Sequence, residues 1–271
     1  MSARKPKYRV TPSLLSKWSD LLNADRDYEQ FYGDADEPSV SPEDFYAKRE
    51  QELLDAINRV PFTSEAASRG TALNELVDCI VENRKPREGV TIQKMMRDDP
   101  GPDKPSIHSF IVTVDGFIFY FDALMVFDIW RKFKDAICQH RCEAVMDTQF
   151  GPVILYGDAD YIHRDIVYDL KSTSRYDRFG KFSEGWQKEL YPWALIESGE
   201  MDSVSGFEYA IVPLTGGNAS NPIYSGELKV EYYPYDHNAS TGRLLAAVEP
   251  FIMWIEDHRN LITHKRIFNE E

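Results

Sequence analysis

Asp160, Asp169 and Lys171 are the residues of this chain whose types and spacing could do chemistry. Val153 to Tyr161 reads as a strand that ends on Gly157-Asp158-Ala159-Asp160. Ile166 to Lys171 reads as its hairpin partner across the polar turn Ile162 to Asp165. Side chains alternate faces along a strand, so Asp169 and Lys171 point the same way. Asp160 should end the first strand at about the level of Asp169, with Asp158 near the same end. Two carboxylates and one amine are thus expected on one face of a hairpin. Close carboxylates repel unless a cation sits between them or one stays protonated. Oxygen ligands suit Mg²⁺ or Mn²⁺. A lysine beside such an ion can orient a water or stabilise a developing oxyanion.

Other elements must hold these groups in place. Ser183 to Ser198 reads as a helix with Trp186, Leu190, Trp193, Ala194 and Leu195 as an apolar stripe for packing on the sheet. Gln187 and Tyr191 are four apart on it and share a face, and Pro192 should kink or loosen it just after Tyr191. Upstream, Ser64 to Glu82 reads as a helix with Leu73, Leu76, Val77, Ile80 and Val81 at helical spacing. Asn74 and Asp78 flank that stripe and can reach a site at the edge of the core.

The remaining chain reads as follows. Thr11-Pro12 opens a helix through Leu22, Asp25 to Pro42 is an acidic loop, and Pro42 to Val60 is a second helix. Asn83 to Asp103 reads as an exposed connection. Ile107 to Phe121 is a hairpin about Asp115-Gly116, a type I′ turn signal. Asp122 to Arg141 reads as a helix and Ala144 to Phe150 as a strand turned by Gly151-Pro152. Phe207 to Val212 and Leu228 to Tyr233 alternate as strands around a loop at Gly216 to Gly226, and a helix over about 241 to 262 closes the chain, broken or kinked near Pro250. One α/β domain over residues 1 to 271, with an N-terminal helical region at 10 to 60, is the simplest organisation.

In its motifs the chain resembles the PD-(D/E)XK nuclease superfamily, within it the RecB-like exonuclease branch. The motifs are Gly157 to Asp160, Asp169-Leu170-Lys171, and Gln187 to Tyr191, in that order, over about residues 63 to 235. An upstream helix of that family reads G-x-x-x-H-x-x-x-E. Gly70, Asn74 and Asp78 keep its spacing, with Asn for the metal-binding His and Asp for Glu. The resemblance implies a restriction-endonuclease-like core, a mixed sheet flanked by helices. It implies Asp160, Asp169, the Leu170 carbonyl and Asp78 as metal ligands, Lys171 as the catalytic amine, and Gln187 and Tyr191 in site roles. It also implies DNA as substrate, with a strand-annealing or recombination protein as a partner in a phage-like context.

Bulk properties bound these expectations. With 42% hydrophobic and 28% charged residues the chain has an ordinary globular composition, and no apolar run is long enough to span a membrane. Cys79, Cys138 and Cys142 supply neither a C-x-x-C pair nor four thiolates, so a reducing cytoplasm and no iron–sulfur cluster are expected. Cys138 and Cys142, four apart on the expected helix, read as a buried thiol pair. The net charge of −14 opposes broad contact with DNA. Against it stand a cluster (Lys171, Arg175, Arg178, Lys181, Lys188) and a basic arm (Arg4, Lys5, Lys7, Arg9). The expectation is a Mg²⁺-dependent DNA nuclease working from ends. The competing reading is a decayed nuclease fold that binds nucleic acid or serves assembly.

Overall fold

Ten strands and seven helices make up the described part of the computed structural model, which covers residues 5–34, 38–98, 106–177, 179–180 and 182–270. The N-terminal region holds β1 (Tyr8–Val10), α1 (Pro12–Leu22), α2 (Ala24–Tyr32) and α3 (Pro42–Ile57). Thr11 and Ser41 cap α1 and α3 by accepting from Leu14 N and Asp44 N, each followed by Pro at the first helical position. α4 (Glu65–Val81) follows, capped by Ser64, and then β2 (Thr91–Met96), β3 (Ile107–Val114), β4 (Phe117–Asp122) and α5 (Ala123–Phe133). The central run is β5 (Ile137–Thr148), β6 (Gly151–His163), β7 (Ile166–Thr173), α6 (Gln187–Glu197) and β8 (Gly206–Pro213). β9 (Ile223–Tyr224), β10 (Lys229–Pro234) and α7 (His237–Asp257) complete the set, followed by two 3₁₀ turns at Arg259–Leu261 and Lys265–Phe268.

The strands form two mixed sheets. The larger has the order β1-β6-β7-β8-β10, with β5 also paired to β6; the smaller has the order β2-β3-β4-β9. β5, β6 and β7 are antiparallel in series, whereas β7 and β8 run parallel around the α6 crossover. The strand–helix–strand unit explains that parallel pair, since a parallel neighbour requires a long connection.

Two apolar cores lie on opposite faces of the large sheet. One unites Leu15, Trp18, Leu53 and Ile57 with Leu190, Trp193, Phe207, Tyr209, Phe251 and Ile255, so α1, α3, α6 and α7 cover that face. The other unites Leu73, Leu76 and Val77 of α4 with Phe133, Tyr161, Tyr168 and Leu170, and with Phe110, Phe119 and Phe121 of the small sheet. Phe133 stacks on Tyr161 at 4.0 Å between ring centroids. α4 and α5 therefore sit between the two sheets. Among the described residues no helix is long and apolar enough to cross a membrane.

Several elements differ from the sequence expectation. Asp25 to Pro42 contains α2, whose only buried residues, Ala24 and Tyr28, are too few to register as a stripe. Asn83 to Asp103 contains β2, where every residue but Ile92 is exposed, so alternation is absent; residues 99–105 lie outside those described. The expected helix from Asp122 to Arg141 stops at Phe133, and Ile137 already begins β5. The break at 134–136 has no Gly or Pro to mark it. Cys138 and Cys142 are consequently strand residues and do not form a buried pair. Cys142 is wholly buried in the first core, and Cys138 packs, half-buried, against the second. α6 begins at Gln187 rather than Ser183, and the loop at 216–226 contains β9. α7 begins at His237 and runs without interruption through Pro250.

Candidate active site

β6 and β7 pair only at Tyr161–Tyr168, Ile162–Val167 and His163–Ile166. Beyond the first of these the strands part, and the next residue on each strand is an aspartate, Asp160 and Asp169. Leu170 N–H, left without a ladder partner toward β6, donates to Asp160 Oδ2 at 2.8 Å. A buried backbone donor needs a partner, and here the carboxylate supplies one.

The alternation of β6 changes at the same point. Ala159 lies in the first core and Tyr161 in the second, although residues two apart on a regular strand share a face. Across the ladder Gln139 takes φ 47°, the left-handed region, and its amide reaches Asp160 Oδ1 at 3.4 Å. Both strands thus switch faces at Asp160 and Gln139. Gln139 is a site residue that sequence reading missed. Neither its type nor its neighbours signal the backbone switch, since such positions favour Gly or Asn.

Lys171 Nζ lies 2.6 Å from Asp169 Oδ2. That oxygen is buried, and the Lys171 ammonium is its ion-pair partner. Burial and then the charge of Asp169 push the Asp160 carboxyl far above its ordinary range, to about 8, despite the Leu170 N–H and Lys171. Burial works to lower the Lys171 ammonium, but the charges of Asp169 and Asp160 outweigh it and hold it above its ordinary value. Two carboxyl groups therefore share one cation, and the fork gains surplus negative charge only when Asp160 ionises.

Gln187 and Tyr191 share a face of α6, as their spacing requires. Tyr191 is buried against the sheet, where a Cβ on Gly157 would come within 2.6 Å of Tyr191 Cε1. Glycine at 157 is thus set by the close approach of the ring. Burial first, and then the charges of Asp169 and Asp160, push the Tyr191 phenol upward, so it stays neutral. Gln187 opens with Lys171 and Tyr209 into a cavity of about 230 Å³ roofed by Ser19 and Arg26 of the N-terminal helices. Trp186 Nε1 donates to Ser19 Oγ at 2.9 Å and ties that roof to α6.

Asp160 opens instead into a cleft of about 400 Å³ lined by Asn74, Glu75 and Asp78 of α4, by Gln139, and by Arg84 and Arg87, both of which bond to Glu75. Asp78 is only 2% exposed. Tyr161 OH donates to its Oδ1 at 2.7 Å, and Arg84 lies 3.7 Å from its Oδ2. Burial pushes its carboxyl up to about 6, against the pull of Tyr161 and Arg84. Gly70 of α4 faces Ser172 of β7, whose hydroxyl would lie 3.6 Å from a Cβ there. Of the sequence-derived residues, Lys171 and Gln187 thus line one cavity and Asn74, Asp78 and Asp160 another, while Asp169 and Tyr191 are buried between strand and helix and line neither. Asp158 is exposed and pairs with Arg141 at 3.3 Å.

The basic residues around the site are partly neutralised. Lys188 pairs with Glu189 and Arg175 with Asp177, while Arg178, Lys181 and Arg4 lie outside the described residues. Among the described residues no group of three or more His, Cys, Asp or Glu side chains is placed to hold a metal ion.

No protein-family model matches the chain, and no curated protein matches it. Among solved structures, the crystal structure of SSO0001 is similar at a TM-score of 0.39 and 11% identity, covering 93% of this chain and 79% of that one. At that level neither fold nor activity transfers from one protein to the other.

Proposed function

We propose that this chain is a divalent-metal-dependent DNA nuclease with a PD-(D/E)XK core. The observation that carries the reading is the fork between β6 and β7. It sets Asp160, Asp169 and Lys171 on adjoining positions, with Gln187 and Tyr191 beside them on α6. With β2, β3, β4 and α5 inserted after α4, the order α4, β5, β6, β7, α6, β8 follows the helix, three strands, helix and strand of that superfamily and supports the reading further.

The residues present fit a hard cation. Asp169 Oδ2 is buried beside the Lys171 ammonium, and burial, with the Asp169 charge, holds the Asp160 carboxyl well above its ordinary range, at about 8. All donors at the fork are oxygens, the set Mg²⁺ and Mn²⁺ prefer. Asp160 and Asp169 would hold the ion, with the Leu170 carbonyl as a further ligand. Asp78, already engaged by Tyr161, would stand behind Asp160 in the same cleft. Such an ion supplies Lewis acidity and acidifies bound water. Lys171, kept protonated by its acidic neighbours, acts as a fixed positive charge toward a phosphoryl oxygen or an attacking water. Gln187 presents an amide into the Lys171 cavity for positioning substrate. Tyr191, neutral and packed on Gly157, fixes the height of α6 above the strand.

Digestion from DNA ends fits an acidic chain better than wrapping of an intact duplex, because an end reaches a recessed site with few phosphate contacts. The test compares linear duplex with covalently closed circles at equal phosphate concentration, in Mg²⁺, Mn²⁺ and chelator. Release of nucleotides from the linear form alone, and only with a divalent ion, is expected. Nicking of closed circles at the linear rate would make the enzyme an endonuclease. Binding of DNA without cleavage in any ion would leave only a binding role.

A further inference from the structure

Away from the fork, three arginines from three distant segments line one cavity of about 200 Å³: Arg9 of β1, Arg59 just after α3, and Arg266 of the C-terminal turn. Thr11, Ser13 and Tyr156 complete the polar lining. This concentration of positive charge is unexpected in a chain of net charge −14. Glu143 neutralises Arg9 at 2.8 Å, but it also serves Arg141 at 3.1 Å. Arg59 and Arg266 have no ion-pair partner among the described residues. Arg9 Nε is buried with no hydrogen-bond partner.

The cavity is braced rather than incidental. Tyr156 is buried, and the Arg9, Arg141 and Arg266 guanidinium groups lie 4.7, 4.3 and 5.2 Å from its ring centre. Such stacking fixes the planes of the groups. Asn58, next to Arg59, holds the C-terminal segment. Its Oδ1 accepts from Thr263 N at 2.7 Å and its Nδ2 donates to Leu261 O at 3.0 Å. Asn269 Nδ2 donates to Pro6 O at 2.8 Å and ties the same segment to the start of β1. Arg59 follows α3 at φ 54°, in the left-handed region. Thr11 is the N-cap of α1, its Oγ1 accepting from Leu14 N at 3.3 Å and lying 2.9 Å from the Ser13 hydroxyl in the first turn, and a helix N-terminus favours anions.

We propose that this cavity binds a phosphate group, the phosphodiester of a nucleic-acid strand. Arginine forks with flanking hydroxyls match a tetrahedral oxyanion. Tyr156 precedes Asp160 by four residues on β6, about 13 Å along the strand at roughly 3.3 Å per residue, and the Lys171 cavity beside the fork is lined, like this one, by α1. That the phosphate belongs to a nucleic acid rests on the nuclease reading; that the cavity takes a phosphate oxyanion does not.

The test is calorimetric titration in chelator with two probes, inorganic phosphate and a short single-stranded oligonucleotide. The proteins are wild type, Arg59→Asn, Arg266→Gln and Asp169→Asn. Asn suits the left-handed backbone at 59, so that variant should fold, and equal melting temperatures check it. Oligonucleotide affinity should fall about tenfold or more in Arg59→Asn and Arg266→Gln, with a salt slope about one unit shallower, and persist in Asp169→Asn. Arg59-dependent binding of phosphate without the oligonucleotide would keep the oxyanion site and remove its nucleic-acid assignment. Binding of neither probe by wild type, or equal binding by all four proteins, would overturn the proposal. Arg59-dependent binding in a protein that cleaves no DNA would sink the nuclease reading and leave this site standing.

Discussion

Leu170 N–H donates to Asp160 Oδ2 at 2.8 Å, across the point where β6 and β7 part. This bond favours the ionised carboxylate, yet burial and the Asp169 charge prevail and hold the group at about 8 against its ordinary 3.8. A carboxyl raised in the folded state binds its proton more tightly there than in the unfolded chain. Between those two values the folded state carries more protons, so stability falls as pH rises through the window. Asp160→Asn keeps an acceptor for Leu170 and removes the charge. In metal-free buffer at about pH 8 it should melt higher than wild type, by about 2–4 °C for roughly 1 kcal/mol. Near pH 4 the gain should vanish. Calorimetric scans at both pH values check this; parallel profiles for the two proteins would count against the charge balance described.

Gly157 admits the Tyr191 ring, and a methyl group there would meet Cε1 at 2.6 Å. Gly157→Ala should therefore cost about 1–3 kcal/mol in urea unfolding, as overpacking does. In a Tyr191→Ala background the same substitution should cost little, because the obstructing ring is gone. Equal costs in both backgrounds would mean that the ring does not set the glycine.

Glu189 anchors the helix that carries Gln187 and Tyr191. It is buried and accepts from Ser240 Oγ at 2.6 Å, Lys188 Nζ at 2.6 Å and Arg243 at 2.7 Å, joining α6 to α7. Burial acts to raise its carboxyl, but hydrogen bonds from Arg243, Lys188 and Ser240 outweigh it and hold it below the ordinary value. A depressed carboxylate stabilises above the unfolded value and loses that contribution as pH falls through the folded one. Glu189→Gln should cost about 1.5–3 kcal/mol at neutral pH, with the deficit shrinking on acidification below the ordinary carboxylate range. Chemical denaturation at pH 7 and pH 3 measures it. A cost that stays constant with pH would remove the charge from the explanation.

Much of this was legible from residue spacing, and the exceptions have physical causes. Asp169 and Lys171 touch because two-residue spacing on a strand fixes their common face. Gln187 and Tyr191 share a face because four-residue spacing on a helix does the same. The Asp115-Gly116 turn is likewise local, with both residues in the left-handed region. Asp160 was placed at the right level, but the switch of face at its position was not foreseen. It depends on Gln139 adopting a positive φ across the ladder, and the start of β5, Ile137 to Arg141, reads as helix because its alternation is weak. β2 was missed because it buries almost nothing. The arginine cavity joins residues about 200 positions apart through Asn58 and Asn269, contacts that leave no pattern along the chain.

The most direct measurement of the central claim is single-turnover hydrolysis of linear DNA by wild type, Asp169→Asn and Lys171→Ala, each confirmed folded by its melting transition. Wild type should cleave in Mg²⁺ and not in chelator. Each substitution should slow cleavage by about a hundredfold or more, the usual consequence of removing one charge-stabilising group from such a site. Cleavage by Lys171→Ala at the wild-type rate, or wild-type cleavage undiminished in chelator, would contradict it.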